Sequence, residues 1–96
     1  MKKELHHDGS EAFYETVLKL KSVAECRTFF EDICSPYELK TIEQRFLLLY
    51  LLSTGSSYSE IAAETGASSA TISRASRQLN NSHCGIDEII QRHTQK

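Results

Sequence analysis

The chain has no long apolar run. Its longest, residues 46–52, is Phe-Leu-Leu-Leu-Tyr-Leu-Leu, far short of the roughly 18 to 20 residues a membrane helix needs, so no membrane partner is expected. The opening residues hold Lys2, Lys3, Glu4, His6, His7 and Asp8 and lack the apolar stretch of a secretory signal. A cytoplasmic location is the expectation. Cysteine is scarce too: Cys26, Cys34 and Cys84 are odd in number and make no C-x-x-C pair, which argues against a disulfide framework and a zinc knuckle alike. In a reducing compartment they are read as thiols.

Catalytic signatures are missing as well. There is no G-x-S-x-G, phosphate loop, H-E-x-x-H or paired carboxylate pattern. His83-Cys84 is the one suggestive dyad, and adjacent loop residues with no third group to orient them make a poor nucleophile. No enzyme activity, catalytic residue, metal or obligatory cofactor is therefore expected, and His6, His7 and His93 are read as solvated. With a single proline and four glycines, helix breakers are also rare.

What remains is 96 residues, 40% apolar and a quarter charged, the composition of one soluble globular domain spanning residues 1–96, with 1–9 expected to be a flexible N-terminus. The net charge of -2 conceals an asymmetry. Residues 1–34 carry five Lys/Arg against seven Asp/Glu, residues 35–67 two against four, and residues 68–96 four against two. Between 68 and 82 there is no acid, while Arg74 and Arg77 stand among hydroxyl and amide side chains. Attraction to phosphate depends on this local field and not on the total.

Apolar residues recur at helical spacing nearly throughout, so the fold class is all-α, with about six short helices. The first helix is expected from Ser10 as N-cap to about Lys21, with Phe13, Val17, Leu20 and Ala24 on one face. Ser22 and Glu25 fit a capping box that opens a second, striped by Val23, Cys26, Phe29, Phe30 and Ile33. Ser35, Pro36 and Glu38 mark the third start, proline taking the first helical position where its missing N–H is harmless. That helix is expected to reach about Leu52. Its second half is apolar around the whole circumference, and in so short a chain such a helix points to a homodimer, the alternative being a tightly packed monomer core.

Gly55 ends it, Ser57 and Glu60 cap a short helix to about Thr65, and Gly66 supplies a left-handed residue. Ser68 caps the next helix, whose Ile72, Ala75 and Leu79 face inward. Residues 80–85 read as loop. A last helix, from about Ile86 to Arg92, can bury Ile86, Ile89 and Ile90, with Asp87 and Glu88 near its positive end.

Residues 58–77, within a unit spanning 57–80, have the layout of a helix-turn-helix: two short helices joined by a glycine turn. Small Ala62 suits a close crossing, and Ile61, Ile72 and Ala75 fill the wedge. On a wheel of 100° per residue Ala70, Ser73 and Arg77 point away from Ile72, flanked by Ser69. A helix made only for solubility would carry Glu and Lys in i,i+4 pairs, and this one has neither. Small and hydroxyl side chains beside one arginine suit a major groove. Ser69, Ala70, Ser73 and Arg77 are thus candidates to face bases, Ser68 and the free N–H groups of the first turn to bind phosphate, and Arg74 to bind phosphate or a ligand. Thr71, Arg74 and Gln78 share a third side that a ligand could occupy. The partner expected is double-stranded DNA, recognised sequence-specifically by a transcriptional regulator. The alternative is a helical protein–protein interaction module that does not bind DNA.

These residues carry a resemblance. Ser35-Pro36, Arg45, Gly66-Ala67, Ala70-Thr71-Ile72, Arg74 and Leu79 resemble the Trp repressor family, over about residues 30–92, and the chain is similar to its YerC/YecD-like, Trp-repressor-related branch from Gram-positive bacteria. The resemblance implies an intertwined all-helical dimer, a repressor, whose reading heads enter successive major grooves. It also implies an effector site near Ser35, Arg45, Thr71 and Arg74, where the family holds L-tryptophan. Two positions depart: Ala75 stands where the family has glycine, and Gln78 where it has serine. The linker before the motif is also one residue shorter. An added methyl in a close-packed pocket crowds an indole ring, so L-tryptophan binding is expected to be lost or altered.

Overall fold

The computed structural model describes residues 9–81 and 85–95; the expectations for residues 1–8, His83 and Cys84 lie outside the described residues. Among the described residues the protein is six α-helices with no strand: α1 (Ser10–Val17), α2 (Val23–Ile33), α3 (Pro36–Ser53), α4 (Tyr58–Thr65), α5 (Ser69–Leu79) and α6 (Ile86–Thr94). None is long and apolar enough to cross a membrane. The chain divides into two compact units, Met1–Leu39 and Lys40–Lys96.

In the first unit, α1 is shorter than its periodicity suggests. Its N-cap is Gly9, at φ +87°, and Ser10 is its first residue. It stops at Val17, where the N–H groups of Lys19 and Leu20 turn to the carbonyls of Thr16 and Val17 in tight i→i−3 bonds. A new helix then starts at Ser22, whose hydroxyl accepts from the N–H of Glu25 at 3.0 Å. The box is shifted by one residue, because the Glu25 carboxylate accepts from Lys21 N–H instead. Phe13 lies against Phe29 and Phe30, with ring centroids 6.0 and 6.5 Å apart. Yet neither α1 nor α2 has a buried residue, and Tyr14, Leu18 and Val23 are exposed. Cys26 and Cys34 are free thiols.

At the start of α3 the box is complete: Ser35 Oγ accepts from Glu38 N–H and Ser35 N–H donates to Glu38 Oε1, with Pro36 as the first helical residue. Its end is equally well made. Gly55 takes φ +99°, Gly55 N–H reaches Leu52 O, and Ser56 N–H reaches Leu51 O, the paired bonds by which a left-handed residue satisfies a helix's last carbonyls.

The second unit holds the core. Ile61 of α4 and Ile72 of α5 are 0% and 1% exposed and meet Leu48 of α3, with Leu51, Leu52, Ala67 and Ala75 packed around them. Burying one such isoleucine is worth about 1.5 to 3 kcal/mol. Helix α6 buries Ile90, with Ile86 half-buried, but Ile89 is 57% exposed, so the three isoleucines do not share one buried face. The same helix is tied to the end of α3 by Gln91, whose Nε2 donates to Ser53 O and Oγ, and by Asp87, which accepts from Ser53 Oγ.

Candidate nucleic-acid interface

The turn between α4 and α5 is built from local hydrogen bonds. Ser57 and Glu60 form the full capping box at the start of α4. At its end Gly66 adopts φ +77° and donates its N–H to Ala62 O at 2.9 Å. Thr65 Oγ1 donates to Ile61 O and accepts from Ala67 N–H, fixing the chain as it leaves the glycine. Ser68 then caps α5 by accepting from Thr71 N–H at 3.2 Å. Ile61 and Ile72, one from each helix, lock the pair. Ala62 is exposed and takes no part in the wedge.

This places the outward side of α5. Ser68, Ser69, Ala70, Arg74 and Arg77 are exposed, and Ser73 is half-buried. There is no acid in the first turn of α5, so the positive potential of the helix N-terminus is not offset by a side chain there. Arg77 sits in the last turn. Among the small polar side chains a chain of contacts runs backward along the helix: Arg74 Nη2 donates to Thr71 Oγ1 at 3.4 Å, and Ser68 Oγ donates to the same oxygen at 3.0 Å.

Behind this surface lies a cleft. Arg45, Leu48 and Leu49 of α3 and Thr71, Arg74, Ala75 and Gln78 of α5 enclose about 330 Å³. Four of the five residues the sequence nominates for an effector are therefore brought together. The fifth, Ser35, belongs to the first unit, where its hydroxyl and N–H are both engaged by Glu38. A second cleft of about 500 Å³ adjoins the first through Arg45, Leu48 and Thr71 and reaches Thr41, Gln44, Glu64 and Ala67. Sequence reasoning missed Thr41, Gln44 and Glu64. The signal available was Thr41, one turn before Arg45 on the same face of α3.

A model of the family described as Trp repressor protein matches residues 8–94. The chain belongs to the Trp repressor family. It is 38% identical over 79 residues to the uncharacterized protein YerC of Bacillus subtilis (strain 168), covering 82% of this chain and 76% of that protein. The crystal structure of a TrpR like protein from Eubacterium eligens ATCC 27750 matches with a TM-score of 0.78 at 38% identity, over 92% of this chain and 91% of the other. A crystal structure from Staphylococcus aureus matches with a TM-score of 0.76 at 30% identity, over 92% and 87%. Membership in the Trp repressor family and the all-α fold thus stand on sequence and structure together, and the YerC-like branch is the one the sequence resembles.

Proposed function

We propose that the protein is a sequence-specific double-stranded DNA-binding regulator of transcription, acting as a repressor in the cytoplasm, and that α5 is its reading helix. The observation that carries this is the exposed side of α5, where Ala70 and Arg77, flanked by Ser69, are exposed while Ile72 of the same helix is 1% exposed. Short side chains allow the helix backbone to approach base edges, alanine suits a thymine methyl, and arginine suits guanine. Ser68, the N–H groups of the first turn and Arg74 are assigned to phosphates, and Ser73 to a lesser base contact. The relation to the Trp repressor family supports the same reading.

The regulator is proposed to work as a homodimer and as one domain. Along α3, Ile42 and Phe46 are 48% and 47% exposed and Leu47 is exposed as well, and α1 and α2 contain no buried residue. Apolar surface on this scale on so small a chain supports a covering by a second copy. The cleft lined by Arg45, Thr71, Arg74 and Gln78 is proposed as an effector site, with L-tryptophan disfavoured by Ala75 and Gln78.

The test is footprinting on genomic DNA with the tagged protein, followed by titration of the recovered duplex at rising salt. A discrete protected site, and an affinity falling steeply with salt, are expected. An affinity for a protein partner that stays flat with salt, with no protected site on DNA, would replace this reading by an interaction module.

A further inference from the structure

Helices α3 and α4 both end at a glycine in the left-handed region, and they close differently. After α3, Gly55 N–H and Ser56 N–H both bond to carbonyls of the helix they leave, so backbone alone fixes the path of exit. After α4, Gly66 N–H bonds back to Ala62 O, but the next N–H, that of Ala67, goes to the side chain of Thr65 at 3.1 Å. The same hydroxyl donates to Ile61 O at 2.7 Å. Its proton is thus committed to α4 while its oxygen accepts from the turn. Thr65 and Ala67 are both half-buried, and Ala67 packs against the cluster of Leu48, Ile61 and Ile72, a setting in which an unpaired N–H is costly.

This hydroxyl has a lever to act on. The packing of Ile61 with Ile72 sets how closely α4 and α5 approach, but an apolar contact is non-directional and leaves a helix free to swing about it. The bonds between Ser68 and Thr71 fix how α5 begins and leave its direction from α4 open. From Ser68 to Arg77 the helix rises about 13.5 Å, so a swing of about 10° at the turn carries Arg77 through about 2 Å. Hydrogen bonds to base edges are made over roughly 2.7 to 3.2 Å and do not survive such a shift, whereas attraction to the phosphate backbone, a longer-ranged field, is little changed.

We infer that Thr65 is a positioning residue for the reading helix: its hydroxyl, bridging Ile61 O and Ala67 N–H, holds α5 at the angle on which discrimination between DNA sequences depends, without itself touching DNA. The inference rests on the DNA-binding reading given above. It concerns specificity and not affinity in general, which separates it from a role in stability. A loss of folded protein lowers the affinities for all duplexes by one factor, while a misdirected α5 lowers only those that depend on base contacts.

The experiment compares the full chain with Thr65→Val, which keeps nearly the same shape and removes both bonds, and with Thr65→Ser, which keeps the hydroxyl. Each is titrated by mobility shift, at one salt concentration, against the footprinted duplex and a scrambled duplex of equal length and composition, and amide exchange at Ala67 is followed by NMR without DNA. In Thr65→Val, exchange at Ala67 is expected to quicken at least tenfold, and the ratio of cognate to scrambled affinity to fall at least tenfold with the scrambled affinity within about threefold of the parent. Thr65→Ser is expected to stay within about threefold of the parent throughout. Circular dichroism checks that the variants stay helical; Thr65→Ala stands in if the valine variant does not, and if neither folds the hydroxyl is a requirement of folding and the inference is overturned. An unchanged ratio in Thr65→Val overturns it even where Ala67 exchanges faster, because the bond then positions nothing. Equal losses on the two duplexes, or a serine variant as poor as the valine one, assign Thr65 to stability or to packing of its methyl and overturn it as well. A parent chain that does not distinguish the two duplexes overturns the DNA-binding reading together with this inference, whereas a discriminating parent with an equally discriminating valine variant overturns this inference alone.

Discussion

The side-chain amide of Gln91 donates to both the carbonyl and the hydroxyl oxygen of Ser53, at 2.9 Å each, across 38 residues of sequence. The carbonyl is among the last of α3, a group the helix itself leaves unpaired. Substituting Gln91→Ala removes both bonds in a half-buried setting and is expected to cost about 1 to 2 kcal/mol. Urea unfolding of the two proteins side by side checks this, and coincident curves would show that the contact contributes nothing.

Ile72 is the residue on which α4, α5 and α3 converge. Ile72→Ala leaves a void among Leu48, Ile61 and their neighbours and is expected to destabilise by about 2 to 5 kcal/mol, a large share of the stability of a small domain. Thermal unfolding followed at 222 nm is the measurement. A change under about 0.5 kcal/mol, the level of a surface substitution, would mean that the α4/α5 wedge is not where the second unit is held together.

Gly66 tests the turn by itself. A Cβ built there meets no atom within 4 Å, so crowding plays no part and only the backbone conformation, φ +77°, opposes a side chain. Gly66→Ala is expected to cost about 1 to 2 kcal/mol, and Gly66→Asn less, since asparagine tolerates the left-handed region better. If alanine and asparagine lower the melting temperature equally, the left-handed geometry is not the source of the effect.

Arg77 tests the reading face. It is exposed, so Arg77→Ala should leave the melting temperature unchanged while lowering affinity for the cognate duplex by about 1 to 3 kcal/mol through loss of a base contact. Mobility-shift titration on cognate and scrambled duplexes separates the roles. Equal losses on both would move Arg77 from the bases to the phosphates.

Much of this architecture was legible in the chain because its helix ends are written in local code. Ser35 with Glu38, and Ser57 with Glu60, form the reciprocal boxes their spacing predicts, and Gly66 takes the positive φ its position requires. The end of α1 was not legible. Residues 18–21, Leu-Lys-Leu-Lys, contain no stop signal, and the chain turns there through backbone bonds that no side chain announces. Nor does spacing alone tell that Ile90 is buried while Ile89 is exposed; adjacent isoleucines at the edge of an apolar face are divided by packing. The cleft was legible in part. Thr71, Arg74 and Gln78 share a side of α5 by periodicity, but their pairing with Arg45 is a tertiary contact that came into view only through family resemblance.

The two units also differ in when they can become ordered. Translation delivers α1 and α2 first, and no side chain in either is buried. The aromatic trio of Phe13, Phe29 and Phe30 therefore leaves the ribosome without a finished interior to enter. The segment with its own interior, around Ile61 and Ile72, is synthesised last. During that interval the three rings have one another, and no buried side chain of their own unit, to pack against.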